Sequence, residues 1–499
     1  MSTTGRTCRR LAALGGAMLA CAVVIRAQPQ AQELIVRNGL IVTVDGRRQA
    51  DLLIRNGTVA EVGRNLTAGA GAREIDARGM LVIPGGVDPH SHLTPERPAT
   101  VPPGTVMEDY TSGSMAALAG GVTTVTNFVS RQGDEDVSQF LDRTIAQVEK
   151  AAIADFLIHV NIGRDPAWLT PQVLQTLASR GFTSTKTFMR ETYFDTNAVG
   201  FVKAFRLSGG AGILSMIHCE DASILADLGE TMVADGRGSL QNLGLSRPVV
   251  TEVLAVQRAV AISEATGAPI YVVHLSSERA LRVLEEAQGR GLPIYVETRP
   301  MLIHLSDERF LQPDAGLYAG SPPLRSKQDT DALWTGIARG TVHTVGTDHG
   351  ARTREEKTDP SLNVVTRREG VSNIQDYRAM LFSEGVRTGR ISMEQFVAVT
   401  STNPAKIFGL YPRKGTIQAG SDADVVIWDP NLKRTIRDAD ELSAAHWTLY
   451  NGWEVTGWPK TTIRRGEIVY ENGKIVGRAG TGKVIPQARW TKPAFVSTP

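Results

Sequence analysis

The sequence predicts an α/β fold, namely a (β/α)8 TIM-like barrel with a small β-sandwich domain built from both chain ends. Two observations indicate this fold. In the middle of the chain, eight short runs rich in β-branched residues alternate with longer helical patterns, as in a parallel sheet wound with helices. Near both ends, apolar and polar residues alternate between glycine-containing turns, as in short paired strands.

The two chain ends predict the β domain. Leu34–Gly39 and Asp51–Gly57 each end in an Asn-Gly pair, which favours a tight turn between strands, and a matching pattern returns in Asp424–Trp428 and Glu467–Gly473. We therefore divide the chain into a β-sandwich domain formed by 33–83 and 410–485, a barrel over 84–409 and a tail over 486–499.

The central runs predict the barrel. In chain order they lie near 81–87, 122–128, 156–160, 183–188, 212–218, 270–275, 293–297 and 344–348. Eight strands close such a barrel, and its reactive side chains lie at the carboxyl ends of the strands. After the last run, Asn403 and Pro404 predict a helix start with the asparagine as N-cap, and Gly409 is expected to end that helix.

The first 31 residues resemble a secretory signal peptide. Three arginines precede a largely apolar run over 11–25, and small and polar residues follow it. We therefore expect export, to the periplasm of a bacterium. Met18–Cys21 loosely resembles a lipoprotein cleavage box, so a lipid anchor stays as the alternative. No later stretch reaches the roughly 20 apolar residues that span a bilayer, so no integral membrane span is expected in the mature chain.

Composition excludes some partners. The 499 residues carry a formal net charge of +2, with 21% charged residues, which gives no electrostatic footprint for nucleic acid. Of the three cysteines, only Cys219 lies beyond the predicted signal peptide. We therefore expect no nucleic-acid partner, and no disulfide within the mature chain.

A group of polar residues at the strand ends predicts a metal site. Residues two apart in a strand point to the same side, so His90 and His92 face one point at the barrel mouth. An isolated pair of this kind is more often a surface feature. Here, however, His218, His274 and Asp348 end the fifth, sixth and eighth runs. Four imidazoles and one carboxylate therefore converge on one rim.

Lys186 ends the fourth run among apolar neighbours. A buried, unpaired ammonium is costly, so this lysine needs a partner or a lowered pKa. A neutral amine can react with carbon dioxide to give a carbamate, whose two oxygens could bridge two metal ions. The alternative is a side chain that extends from the barrel to the surface.

Several motifs together resemble one family, the dihydropyrimidinases and hydantoinases, which are cyclic amidases of the amidohydrolase superfamily. The resemblance extends over nearly the whole mature length. The stretches that carry it are Pro84–His92, Gly120–Thr124, Ser321–Arg325, Gly346–His349 and Asn403–Asp429. No single motif is decisive, but their order and spacing are highly specific.

The resemblance implies a binuclear metal centre, usually zinc. His90, His92 and Asp348 would bind one ion, His218 and His274 the other, and a carboxylated Lys186 (N6-carboxylysine) would bridge them. A metal-bound hydroxide would attack the amide carbonyl of a small-molecule substrate. Asp348 would be the catalytic general base and acid. Similar enzymes form homotetramers.

The substrate side departs from the family pattern. The family's tyrosine five residues after the bridging lysine is Glu191 here, and Tyr193 follows two residues later. The family's Pro-Asn-Gly segment is replaced by 366–370, although Ser321 is retained. The expected substrate-binding residues are Ser321, Tyr193, Glu191 and Arg368, with Arg367 or Arg368 able to bind a substrate carboxylate.

Three functions are therefore weighed. The first is hydrolysis of a cyclic amide. The second keeps the fold and the metals but acts on linear N-acyl or N-carbamoyl amino acids or dipeptides, which the changed residues favour. The third is a non-catalytic assembly protein, as in relatives that have lost metal ligands. The complete ligand set of this chain disfavours the third.

Overall fold

The computed structural model describes residues 33–95 and 108–495, so the predicted signal peptide lies outside the described residues. The strands are β1 Leu34–Thr43, β2 Gly46–Arg55, β3 Thr58–Gly63, β4 Arg73–Asp76, β5 Leu81–Pro84, β6 Gly86–Val87, β7 Val122–Val129, β8 Asp155–Asn161, β9 Ser184–Phe188, β10 Leu214–His218, β11 Ile270–Val272, β12 Ile294–Thr298, β13 Thr344–Val345, β14 Val425–Thr435, β15 Glu454–Arg464, β16 Glu467–Glu471 and β17 Lys474–Ile475.

Helices connect the central strands. They are α1 Tyr110–Ala119, α2 Val137–Ala151, α3 Pro171–Ser179, α4 Thr192–Thr196, α5 Ala198–Gly210, α6 Ala222–Ala234, α7 Leu243–Ser246, α8 Val249–Thr266, α9 Glu278–Gly289, α10 Pro300–His304, α11 Lys327–Arg339, α12 Arg354–Lys357, α13 Tyr377–Leu381, α14 Met393–Val397 and α15 Asn403–Ile407. Short 3-10 turns lie at Pro166–Trp168, Leu240–Asn242, Asp307–Leu311, Ala315–Tyr318 and Asp438–Asp440, and π turns at Phe382–Val386 and Ala398–Thr402.

The eight strands from β6 to β13 form the predicted parallel barrel. Each strand pairs with its neighbour in chain order. The ring closes beyond the ends of the first and last strands, where the Asp348 amide donates to the His90 carbonyl at 2.7 Å and the His92 amide donates to the His349 carbonyl at 2.6 Å. The bonds that close the barrel therefore involve the residues predicted to bind metal.

The other sheet joins both chain ends, as predicted. Its nine strands follow the order β17-β16-β15-β14-β5-β1-β2-β3, with β4 beside β1. The junction is the antiparallel pair β5 and β14. The first expected barrel run, 81–87, is therefore divided, because Leu81–Pro84 is β5 of this sheet and only Gly86–Val87 belongs to the barrel.

The predicted helix start at Asn403 is wrong. The backbone is helical through Thr402 (φ −76°, ψ −46°) and Asn403 (φ −65°, ψ −47°), so α14, the π turn and α15 form one continuous segment. The Asn403 side chain donates to the His343 carbonyl at 2.9 Å instead of capping a helix. Pro404, which lacks an N–H, follows the π turn, where the regular helical bonding is already interrupted. Gly409 ends the segment with φ 69°.

The C-terminal tail packs against the amino-terminal end of the barrel. The Gln487 amide donates to the Gly181 carbonyl at 2.9 Å, and the Trp490 amide donates to the Gly212 carbonyl at 2.7 Å. Gly181 has φ 77°, and a side chain there would contact Pro486 at 2.6 Å. The tail therefore covers the end of the barrel opposite the predicted site.

Within residues 33–95 and 108–495, no helix combines the length and the apolar composition needed to cross a bilayer.

A buried ion cluster links the barrel to the sheet. The Lys414 ammonium donates to Asp155 and Asp424 at 2.7 Å each, and Asp422 lies 3.1 Å away. Asp155 begins β8, whereas Asp424 precedes β14. Lys414 is buried, and burial lowers its pKa, but the three carboxylates outweigh this effect and raise it. This ion cluster therefore joins the barrel to the β-sandwich domain.

Replacing this cation tests the link. Lys414→Met removes the cation that three carboxylates share, although Arg465 stays 3.1 Å from Asp155. Because most of the compensation at this buried cluster is lost, we expect the free energy of unfolding to fall by about 3–5 kcal/mol. Urea denaturation measures the change. Lys433→Met, at an exposed position of β14, is the matched control and should stay within about 0.5 kcal/mol of the parent. Equal stability of the two variants would show that the cluster does not hold the domains together.

Candidate metal centre and active site

The predicted ligands line one cavity at the carboxyl end of the barrel. Its volume is about 200 Å³, below the range of about 300–1,000 Å³ typical of sites for drug-sized ligands, so it fits a small substrate. The six residues predicted to bind metal all contribute to its wall, namely His90, His92, Lys186, His218, His274 and Asp348.

Three ligand residues are already gathered around one point. The Asp348 carboxylate lies 3.2 Å from His90 Nε2 and 3.0 Å from His92 Nε2. The potential ligand atoms of these three residues lie within 4.8 Å of one another. Two imidazoles and one carboxylate form a donor set that suits zinc and several other divalent ions.

Glu297 orients His90 from the barrel interior. It contacts His90 Nδ1 at 2.7 Å, which leaves Nε2 facing the cavity, and it accepts from the Tyr271 hydroxyl at 2.8 Å. Burial raises the pKa of Glu297 to about 8, against the Lys186 ammonium, which lowers it. A carboxylate behind a metal-binding imidazole is the usual way to fix the ring and its tautomer.

The second histidine pair lies beside the first. The ring centroids of His218 and His274 are 4.5 Å apart, and those of His90 and His274 are 5.5 Å apart. His218 Nε2 bonds to Glu220 at 2.7 Å, so its Nδ1 is the atom left for a metal. Arg247 in turn holds Glu220, with Nε at 3.0 Å and a second bond from Nη2.

Burial keeps the imidazoles of His90, His218 and His274 neutral. It lowers the pKa values of His90 and His274 well below the ordinary value, and it lowers the pKa of His218 to about 4 although Glu220 opposes the shift. His274 Nδ1 is buried and has no hydrogen-bond partner among the described residues. Neutral imidazoles with an unused nitrogen are ready to bind a cation.

Lys186 lies among these groups. Its side chain is buried, and Nζ has no hydrogen-bond partner in the part of the chain that the structure describes. Nζ lies 5.0 Å from the Phe128 ring centre and 5.1 Å from that of Phe188. Burial lowers the pKa of Lys186 to about 8, against Glu297 and Asp348, which raise it. The side chain does not extend to the surface.

Two of the six predicted metal ligands have left-handed backbone conformations. His274 has φ 41° and Asp348 has φ 48°, values that non-glycine residues adopt at a cost. Both follow the end of a barrel strand. The local strain therefore coincides with the positions that turn these side chains toward the cavity.

Asp348 also pairs with Arg299, whose Nη1 lies 3.0 Å from its second oxygen. Burial raises the pKa of Asp348, but Arg299 and the imidazoles of His90 and His92 outweigh burial and lower it well below the ordinary value. Asp348 is therefore ionised at neutral pH. Arg299 follows β12, the seventh strand of the barrel, where the sequence predicted no site residue.

Ser321 and Glu369 form the opposite wall. The Ser321 hydroxyl donates to Glu369, which also accepts from Arg190 and Arg367 at 2.6 Å each. Burial raises the pKa of Glu369, but the two arginines outweigh burial and lower it well below the ordinary value. Sequence reasoning named Ser321 but missed Arg190 and Glu369 as cavity residues, because their pairing spans 179 positions.

The other expected substrate residues do not reach this cavity. Tyr193 lies in α4, half-buried, with its ring 6.1 Å from that of Phe201. Glu191 lies on an adjacent surface depression and pairs with Arg190 at 3.5 Å. The Arg368 carbonyl accepts from Lys357 at 2.8 Å, and its side chain is absent from the cavity wall. The chain enters α4 soon after β9, which directs Glu191 and Tyr193 away from the cavity, whereas Arg368 lies in the loop after α12.

Comparison with known proteins agrees with this geometry. A profile of the amidohydrolase family matches residues 81–469. The D-hydantoinase of Geobacillus stearothermophilus is 33% identical over 460 residues, covering 91% of this chain and 97% of that protein. The chain belongs to the amidohydrolase family. Within it, the chain groups with the hydantoinases and dihydropyrimidinases, so the predicted resemblance is confirmed.

Solved structures of this family share the fold. The crystal structure of dihydropyrimidinase from Brevibacillus agri has a TM-score of 0.85 and 32% identity, covering 93% of this chain and all of that chain. Dihydropyrimidinase-related protein 5 of Homo sapiens is 32% identical over 91% of this chain and 80% of its own length. Amidohydrolases of this family depend on metal, and a possible metal site is present here.

The contact between Glu220 and His218 can be tested through metal affinity. Glu220→Gln weakens the bond that orients the ring, so we expect a loss of about 10- to 100-fold in affinity at this histidine pair. Competition with a coloured chelator measures it. Glu286→Gln, exposed on α9, is the matched control and should bind as the parent does. Unchanged affinity in Glu220→Gln would contradict a role of this contact in metal binding.

Proposed function

We propose that this protein hydrolyses a cyclic amide, as a dihydropyrimidinase-like or hydantoinase-like enzyme. One observation carries the proposal: Lys186, four imidazoles and Asp348 line one cavity. They do so in a chain 33% identical to a D-hydantoinase over nearly its whole length. The coincidence of ligand set and overall likeness favours this reaction over the others that the barrel fold supports.

The residues fit two divalent ions, which we propose to be zinc. Lys186 Nζ and His274 Nδ1 are buried atoms without a hydrogen-bond partner among the described residues, as expected of groups that a ligand would satisfy. His90, His92 and Asp348 would hold one ion and His218 and His274 the other, with Lys186, as its carbamate, between them. Such ions, when bound, polarise an amide carbonyl and lower the pKa of a bound water.

Asp348 is the residue that moves the proton in this proposal. Because its carboxylate is ionised, it can accept a proton from the attacking water. The water oxygen bonds to the carbonyl carbon, the carbon–nitrogen bond breaks, and the proton passes from Asp348 to the leaving nitrogen. Arg299, at 3.0 Å, fixes the orientation of the carboxylate during this exchange.

Ser321 and Glu369 would orient the amide. Ser321 is buried and Glu369 is ionised, so the pair offers a hydroxyl and an acceptor oxygen at the cavity wall. A ring N–H can donate to Glu369. This residue belongs to the segment 366–370, which stands in place of the family's Pro-Asn-Gly segment. The same wall could accept a linear amide, which keeps acylated amino acids as the second substrate class.

We also propose that the protein is exported to the periplasm and forms a homotetramer. Export rests on the leader-like sequence over 1–31 and assembly on family resemblance alone. A periplasmic fraction that lacks the processed protein would contradict the first, and a monomeric mass in solution would contradict the second.

The reaction is tested with a substrate panel. We expect the purified protein to open hydantoin or dihydrouracil rings, and Asp348→Asn to lower kcat by at least about 100-fold because proton transfer is lost. Asp359→Asn, in an exposed loop, is the matched control. Appearance of the carbamoyl product by chromatography measures turnover. Activity confined to acylated amino acids would replace the first substrate class with the second.

The proposed carbamate can be observed directly. With a pKa of about 8, Lys186 has an appreciable neutral fraction near neutral pH, so carbon-13-labelled bicarbonate should give a carbamate resonance in the metal-loaded protein. We expect Lys186→Met to lose both this resonance and turnover. The exposed Lys203→Met should keep both. A labelled resonance that survives in Lys186→Met would assign the carbamate to another lysine.

A further inference from the structure

Arg352 lines the cavity from the segment between β13 and α12. Its backbone carbonyl accepts from the Trp447 indole at 2.7 Å, and its Nε donates to the Glu369 carbonyl at 2.6 Å. The side chain is half-buried. Contacts at both ends of the residue therefore hold the guanidinium at the cavity wall.

The close approach of two backbone segments builds this arrangement. The Gly350 amide donates to the Val371 carbonyl at 3.2 Å. Gly370 has φ 96°, and a side chain there would meet the Gly350 carbonyl oxygen at 2.0 Å. Only glycine allows the two segments to pack so closely, and this packing brings Arg352 to the Glu369 backbone.

One end of the guanidinium is unused. Arg352 Nη1 is buried and has no hydrogen-bond partner among residues 33–95 and 108–495. No ion pair within 4.0 Å is found for Arg352 in the same ranges. Burial lowers its pKa, and the nearest carboxylates, Glu356 and Glu369, only partly oppose this shift. A buried donor without a partner is costly unless a ligand supplies an acceptor.

The other two arginines of the cavity are already paired. Arg299 binds the Asp348 carboxylate and Arg190 binds the Glu369 carboxylate. The Glu369 carboxylate is further held by Arg367 and Ser321, so it is not directed to Arg352. The positive charge of Arg352 is therefore the one at this wall without a close carboxylate partner in the described part of the chain.

We propose that the substrate carries a carboxylate next to the amide that is cleaved, and that Arg352 determines this specificity by binding the carboxylate. The inference rests on the proposed function and narrows its substrate class. A guanidinium binds a carboxylate as an ion pair with two strong bonds, whereas a neutral amide substituent offers only an uncharged acceptor and a weaker bond. The acid can belong to a ring substituent or to a linear acylated amino acid.

Matched substrate pairs test the proposal. The ring pair is a hydantoin with a carboxyethyl substituent and the same ring with a carbamoylethyl substituent, which has nearly the same shape without the charge. The linear pair is N-acetylalanine and its amide. We expect kcat/KM for the acid of at least one pair to exceed that of its neutral partner by about tenfold or more.

Variants assign the preference to Arg352. Arg352→Gln should lower kcat/KM for the acid by about 10- to 100-fold and leave the neutral partner within about threefold, because only a charge-assisted bond is lost. Arg352→Lys should recover part of the preference, since lysine keeps the charge but not the fork. Arg164→Gln is the matched control, because Arg164 follows β8 at the same end of the barrel but is exposed.

The outcomes separate this inference from the proposed function. Efficient turnover of both members of a pair, unchanged in Arg352→Gln, overturns the carboxylate preference and leaves amide hydrolysis standing. If no amide is hydrolysed, the proposed function fails, and calorimetric binding of the same compounds decides the inference. Tighter binding of the acid that disappears in Arg352→Gln supports it, and equal binding of acid and neutral compound overturns it.

Discussion

The site depends on the removal of water from a group of ionisable side chains inside a closed barrel. Burial lowers the pKa values of His90 and His274 well below the ordinary value, so these imidazoles stay neutral, and it lowers the pKa of Lys186 to about 8. Burial would raise the pKa of Asp348, and the Arg299 guanidinium is the main group that keeps this carboxylate ionised. Burial therefore prepares neutral nitrogen ligands and a reactive amine, whereas a neighbouring cation preserves the anionic base. The backbone bonds that close the barrel at His90 and His92 help to keep water out of the site.

Hydrophobic periodicity was sufficient to predict the architecture, because eight buried parallel strands leave a repeated signal along the chain. It could not show that Leu81–Pro84 leaves the barrel for the other sheet. That change depends on pairing with β14, more than 300 positions away, and not on local composition. The continuous helix through Asn403 has a similar explanation. Its side chain bonds to the His343 carbonyl, and no local pattern reveals that partner.

The site residues show the same difference between local sequence patterns and contacts made by distant parts of the chain. The predicted metal ligands lie at strand ends, where alternation and strand order fix both the position and the direction of a side chain, so spacing alone brought them together. The substrate wall is made by loops. Tyr193 was expected there because of its sequence offset from Lys186, but the chain enters α4 directly after β9. The residues that do form the wall, among them Arg190 and Glu369, meet only in the folded chain.

This division allows a chain 33% identical to a D-hydantoinase to keep the ligand set at the strand ends and to carry different residues at the substrate wall. At His90 and Asp348 the backbone closes the barrel while the side chain faces the metal site, so a replacement that shifts the backbone there would disturb both. The loop that carries Arg352 is under no such double constraint. It needs only glycines that allow two segments to pack and a carbonyl that accepts from Nε. A change of substrate therefore requires changes only in the loops, while the strand ends keep the metal-binding side chains in place.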